Sequence, residues 1–191
     1  MAHTRVLAER VIPGEGLAWD AARIVAANVL MIVCAQIAIP LPWSPVPLTG
    51  QTFGVMFVAV LLGARRGALA LTLYLVEGAM GLPVFQPFGA PGALRLIGPT
   101  AGYLWAYPVA AFLTGWLVER VGRASALRLA AALVPGQALI FASGWAWLVA
   151  VVGMNAQPAF LIGVAPFLLG DVIKMALVVA GTKSLDKVQA D

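Results

Sequence analysis

Charge and thiol chemistry are both scarce in this chain. Only 10% of its 191 residues are charged, where a soluble domain carries about 25%. It holds one cysteine and one histidine. A lone thiol, Cys34, excludes a disulfide framework and a thiolate metal site, and suits a small residue at a helix contact. A lone imidazole, His3 in the polar N-terminal stretch, excludes any site that needs several histidines. The chain also lacks a Walker-type phosphate loop, an HExxH helix and a GxSxG turn, which removes ATP hydrolysis by that route, zinc peptidase and serine hydrolase chemistry. The net charge of +4 does not indicate nucleic acid, because the cations stand in short separated groups and form no continuous stripe. Binding or transport is left as the main class, and an enzyme is not expected.

Apolar side chains fill the space that charge leaves. They make up 62% of the chain, against about 45–50% in soluble domains. A polytopic all-α membrane protein follows, with room for about six spans of ~20 residues. Residues 1–19 read as a cytoplasmic arm with an interfacial helix near Val6–Ile12, since they lack the layout of a cleaved signal. Residues 20–182 form the membrane domain and 183–191 a cytoplasmic tail. Asp20 is expected to cap a first span that ends at Ile39, before Pro40-Leu41-Pro42. The second runs from Thr49 to Ala64 and is short, covering about 24 Å. The others are expected over Gly67–Met80, Gly98–Val118, Ala126–Val152 and Pro158–Thr182.

Basic residues set the direction. Arg5, Arg10, Arg23, Arg65, Arg66, Arg120, Arg123, Arg128, Lys183 and Lys187 all fall on one side of this layout, which the positive-inside rule makes cytoplasmic, with both termini inside. The external connections are unusual. Leu41–Leu48 holds three prolines around Trp43, and Gly81–Gly98 is long, Pro/Gly-rich and without an evident helix, which suits a lid or re-entrant segment.

Glu77, Arg95, Asp171 and Lys174 are the charged groups this layout does not assign to the cytoplasmic face. Asp171 and Lys174 share one helical face at i and i+3 inside an apolar run. In hydrocarbon each costs about 2.5–3.5 kcal/mol, so they mark either a polar site or an ion pair that only locks packing. A bend at Pro166 brings Asp171 toward the outside. Glu77 lies near the outer end of the third span, either reaching interfacial water or joining the site. Arg95 is either a solvated loop residue or a gate over a carboxylate. Gln51 is costly facing lipid and is expected to face the bundle. Tyr103 offers a ring and a hydroxyl to the same recess, or serves as an interface aromatic. Ala22 and Ala26 have small-xxx-small spacing for close helix approach.

Five blocks, in order along residues 20 to 182, resemble the BioY family. They are Pro45-Val-Pro-Leu-Thr-Gly-Gln-Thr52, Leu61-Leu-Gly-Ala-Arg-Arg-Gly67, Gly78-Ala-Met-Gly-Leu-Pro-Val-Phe85, Gly98-Pro-Thr-Ala-Gly-Tyr103 and Gly170-Asp-Val-Ile-Lys174. The family usually has Gly-Gly at Ala101-Gly102. The resemblance implies the biotin-binding S-component of an energy-coupling factor transporter, a six-helix bundle in the prokaryotic plasma membrane. It implies partners as well: one transmembrane coupling protein and two ATP-binding-cassette ATPases, with homo-oligomers also open. Asp171 and Lys174 would address the ureido ring of biotin, Arg95 its carboxylate, and Glu77 would be a further contact. Phe53, Val84, Phe85 and Leu169 would supply apolar walls, and Ala22 and Ala26 the docking stripe. No cofactor is expected beyond biotin as ligand. The alternatives are a proton-coupled carrier that uses Glu77 and Asp171, and a membrane scaffold.

Overall fold

A computed structural model describes residues 7–188. Long apolar runs form helices, and Pro and Gly fall where they stop. In order, the elements are α1 (Leu7–Val11), α2 (Leu17–Gln36), strands β1 (Ala38–Ile39) and β2 (Leu48–Thr49), and α3 (Gln51–Ala79). A 3-10 turn (Gly92–Leu96) follows, then α4 (Ala101–Val121), α5 (Ala126–Ala150), α6 (Ala156–Gly163), a second 3-10 turn (Ala165–Phe167) and α7 (Leu168–Val188). The two short strands pair antiparallel, Ala38 with Thr49.

α3 is the hub of the bundle and packs against α2, α4 and α7. Straight, its 29 residues would extend about 44 Å. Instead the chain reverses at Gly63, whose φ of 74° departs from the helical region. Two observations establish the reversal. Gln51 donates to the Tyr74 hydroxyl at 2.8 Å, although they lie 23 positions apart, about 35 Å along a straight helix. A Cβ on Gly67 would lie 3.4 Å from the Ala59 Cα, so the two halves touch just beyond the turn. Among the described residues, five helical segments are long and apolar enough to cross a membrane, and the reversal inside one of them makes six passes.

One end of the bundle collects the start of α2, the Gly63 reversal, the α4–α5 turn and the end of α7. Arg66 pairs there with Glu9 at 2.8 Å and Asp20 at 2.9 Å. Glu119 accepts the Ala64 N–H at 2.8 Å. Lys183 donates to the Arg123 and Ala124 carbonyls, and Asp186 lies 3.8 Å from Arg123. This arginine-rich end is the cytoplasmic one by the positive-inside rule.

Several boundaries differ from the sequence expectations. α2 starts at Leu17 after Gly16, so Asp20 lies within the first turn and caps nothing; it is held by Arg23 and Arg66 instead. α2 stops at Gln36 because Ala38 and Ile39 enter the β pair. α7 continues past Thr182 to Val188. Arg23 is more than a topology signal: at 3% exposure it donates to the Ile12 and Gly14 carbonyls and staples the N-terminal arm. The short helix expected to lie on the interface packs inward through Leu7 and Ala8. His3, Arg5 and the Arg10 side chain lie outside the described residues.

The Gly81–Gly98 connection contains a 3-10 turn and folds over the outer end as a packed cover. Gly78 permits this, since a Cβ there would overlap the Phe85 ring. Gln36 then donates to the Phe85 carbonyl at 3.1 Å, and Trp105 and Trp147 donate to the Leu96 and Gly98 carbonyls, each at 3.0 Å.

The Gly63 turn depends on the absence of a side chain at Gly115, where a methyl would sit 2.5 Å from the Ala64 nitrogen. Backbone cannot yield as a flexible side chain does. We expect Gly115→Ala to cost about 1–3 kcal/mol and to lower the melting temperature of the detergent-purified protein. An unchanged melting curve by tryptophan fluorescence would count against this contact.

Candidate functional site

The last span is broken where the site lies. Pro166 cannot continue an α-helical ladder, so α6 ends at Gly163 and a 3-10 turn precedes α7. The break that the sequence places at Pro166 is present, and it leaves Asp171 in the first turn of α7, where the helix dipole favours a carboxylate.

Asp171 is 2% exposed, and both of its carboxylate oxygens are hydrogen-bonded. Its Oδ1 accepts from Lys174 Nζ at 2.5 Å and from the Thr52 hydroxyl at 2.9 Å. Lys174 also donates to Thr52 Oγ1 at 3.0 Å. The second oxygen, Oδ2, accepts from Gln137 Nε2 at 2.6 Å. Short, charge-assisted bonds of this kind offset the cost of removing a carboxylate from water.

The pair borders a chamber of about 540 Å³ of empty space, mouth included, roofed by the two external connections through Pro47, Gln86 and Arg95. Of the residues singled out from sequence, the structure brings Asp171, Lys174, Arg95, Gln51, Tyr103 and Phe85 to this chamber. Gln51 faces inward, bonded to Tyr74 and accepting from the Thr49 hydroxyl at 3.2 Å. Tyr103 contributes its ring; its hydroxyl is committed to the Gly163 carbonyl at 2.7 Å.

Other expected contacts stand elsewhere. Phe53 is off the chamber wall and stacks on Phe57 at 5.4 Å. Glu77 is also off the wall, half-buried on α3, with one carboxyl oxygen lacking a hydrogen-bond partner among the described residues. Val84 is buried in the core behind Phe85, and Leu169 is 75% exposed because it follows the Pro166 break on the outer side of α7. Ala22 and Ala26 are exposed along α2.

Arg95 is the unusual group. It is 6% exposed, yet among the described residues no acid pairs with it. Its guanidinium donates to the Phe88 carbonyl and, at 3.1 Å, to the Gln86 carbonyl, while Nε has no partner. Burial pushes the Arg95 pKa down from its ordinary value, and the neighbouring Tyr74 acts weakly in the other direction. A bound anion would reverse that penalty. Arg95 and Gln86 also border a second, outer recess of about 690 Å³ beneath Pro40–Pro45 and Phe88–Ala90.

Reading the sequence missed Gln137, Thr52 as a ligand of both charges, and Tyr107, which also borders the chamber. The available signal for Gln137 was a lone amide inside an apolar span, which hydrocarbon does not tolerate unpartnered.

These features define an integral membrane bundle with a mainly apolar chamber that carries a buried charge pair beneath the two long connections. A family model described as BioY family matches residues 7–191. The "Probable biotin transporter BioY" of Pyrococcus horikoshii is 39% identical over 150 residues, 78% of this chain and 85% of that protein. The "Biotin transporter BioY" of Thermotoga maritima is 37% identical over 162 residues, 85% of this chain and 92% of that one. A solved structure titled as the S-component for biotin from an ECF-type ABC transporter superposes with a TM-score of 0.80, covering 91% of this chain and 95% of its own. At 24% identity it speaks for the fold. This chain belongs to the BioY family. Membership places it among transport proteins and not enzymes.

Losing one charge of the buried pair should cost far more than losing both. Lys174→Met strands Asp171 and is expected to destabilise by about 3–5 kcal/mol. Combined with Asp171→Asn, most of that stability should return. Equal melting temperatures for the single and double variants would contradict a buried ion pair.

Proposed function

We propose that this chain captures biotin from outside the cell and hands it inward with an ATP-driven energy-coupling module in the plasma membrane. The observation that carries the reading is the enclosed Asp171–Lys174 pair, with Arg95 buried on the same chamber and no acid beside it. Biotin has matching chemistry at both ends. Its ureido group offers two N–H donors and one carbonyl acceptor, which a carboxylate and an ammonium address together. Its bicyclic body needs apolar walls, which Phe85, Phe141 and Phe167 supply. Its carboxylate supplies the anion that Arg95 lacks. Lys174 has three donors and uses two, so it has one to give a carbonyl without leaving Thr52.

The partners in this reading are one transmembrane coupling protein and two ABC-type ATPases. Ala22 and Ala26 are exposed small residues on α2, at the spacing that lets a partner helix approach closely. Reorienting the bundle would then break the chamber's contacts and release the ligand inward. The proton-carrier alternative gains no support from the geometry, since Glu77 does not share the chamber with Asp171.

Labelled biotin should bind tightly to the purified protein, and Asp171→Asn should weaken binding by about 100-fold or more, as expected for charge-assisted hydrogen bonds. Undiminished binding by the variant refutes the ureido assignment. In liposomes, a pH gradient alone should drive no uptake by this chain; uptake without ATPases would favour a secondary carrier.

A further inference from the structure

We infer that Gln137 is the positioning residue of the site: from α5, behind the chamber wall, it fixes the Asp171 carboxylate so that the ligand exchanges with Lys174 and Thr52 alone. The inference rests on the biotin-binding reading above and deepens it.

In the unliganded chain both Asp171 oxygens are occupied. The two N–H bonds of a cyclic urea diverge, so one of them meets this carboxylate, and it reaches Oδ1, which already accepts two bonds, only if Lys174 or Thr52 yields. Lys174 and Thr52 border the chamber and bond to each other as well as to Oδ1, so either can turn away and keep a partner. Gln137 is different. It is 5% exposed, does not border the chamber, and bonds Oδ2 at 2.6 Å across the α5–α7 contact. It sits in the packed interior, with Leu133 and Ile140, one turn either side of it on α5, fully buried. The carboxylate requires the amide nitrogen on its own side, so the orientation of the Gln137 side chain is set as well. Gln137 therefore stays in place while Lys174 swings to the urea carbonyl, and one oxygen of Asp171 remains aimed by the protein throughout.

The groups facing Asp171 are Lys174 on α7, Thr52 on α3, Gln137 on α5 and Tyr107 on α4, with Arg95 on the same chamber. Replacing Gln137 by a carboxyl therefore sets two acids side by side. Such a pair shares one proton, keeping the bond, until that proton leaves and repulsion opens it.

The test measures biotin affinity of detergent-purified wild type, Gln137→Met and Gln137→Glu between about pH 5.5 and about pH 8.5, with melting temperatures alongside. We expect wild type to vary little, Gln137→Met to bind about 10- to 100-fold more weakly at every pH, and Gln137→Glu to bind near wild-type strength at the acid end and lose affinity as pH rises. A merely structural role would not produce that pH profile. Wild-type affinity in a folded Gln137→Met overturns the inference, as does a Gln137→Glu variant whose affinity does not change with pH; the near-isosteric Glu variant decides if Met does not fold. Failure of the wild type to bind biotin refutes the ligand assignment itself, and the role of Gln137 falls with it.

Discussion

A carboxylate held away from water must find a donor for every oxygen, and the outer half of this bundle is arranged around that requirement at Asp171. The donors come from three separate helices: Thr52 from α3, Gln137 from α5 and Lys174 from α7 itself. None is a sequence neighbour except Lys174. The packing of α3 and α5 on α7 is therefore part of the site's chemistry, and a shift of one helix by an ångström or two would leave a buried charge short of a partner. The break at Pro166 serves the same end. It starts a new helix just before Asp171, so the N-terminal end of the α7 dipole lies beside the carboxylate.

Close approach of helices makes that convergence possible, and small residues permit it. Gly115 lets α4 meet the Gly63–Ala64 backbone, and Gly67 lets the two halves of α3 touch. Gly144 and Gly163 leave space for the Tyr103 ring and its hydroxyl bond. Without a hydrophobic drive between helices in lipid, such contacts carry much of the association. Apolar side chains such as Val25, Val29, Val172 and Ile173 point outward, where acyl chains would cover them.

Much of this was readable in the chain, and the limits have physical causes. Hydropathy and the Arg65-Arg66 pair locate the α3 reversal to within a few residues, because a charge pair cannot sit in mid-bilayer. The spacing of Asp171 and Lys174 gives their shared face directly. Leu169 is exposed and off the chamber wall because α7 restarts after the break at Pro166, and the sequence does not give the angle at which a broken helix restarts. Phe53 and Glu77 stand off the chamber wall for a related reason: residues at the right depth still need the right azimuth, and azimuth depends on which neighbour packs where. Arg23 looked like one more topology signal; its burial arises from the carbonyls of an arm whose path is not local information.

The two ends of the molecule treat their cations differently, and the contrast bears on where a ligand belongs. At the cytoplasmic end Arg23, Arg66 and Arg123 each meet a carboxylate of this same chain, and Lys183 meets two carbonyls. Those charges are closed among themselves and hold the turns together. At the outer end Arg95 is more deeply buried than Arg66, yet among the described residues it has only carbonyl partners and an unbonded Nε. Carbonyl dipoles orient a guanidinium but do not neutralise it. A cation kept desolvated without an internal counter-ion costs stability in the empty protein, and that cost is recovered when an anion arrives from outside. The Asp171–Lys174 pair on the same chamber is net neutral, with its charges met by hydrogen bonds from its own chain, so the two polar features of this chamber stand in opposite electrostatic states.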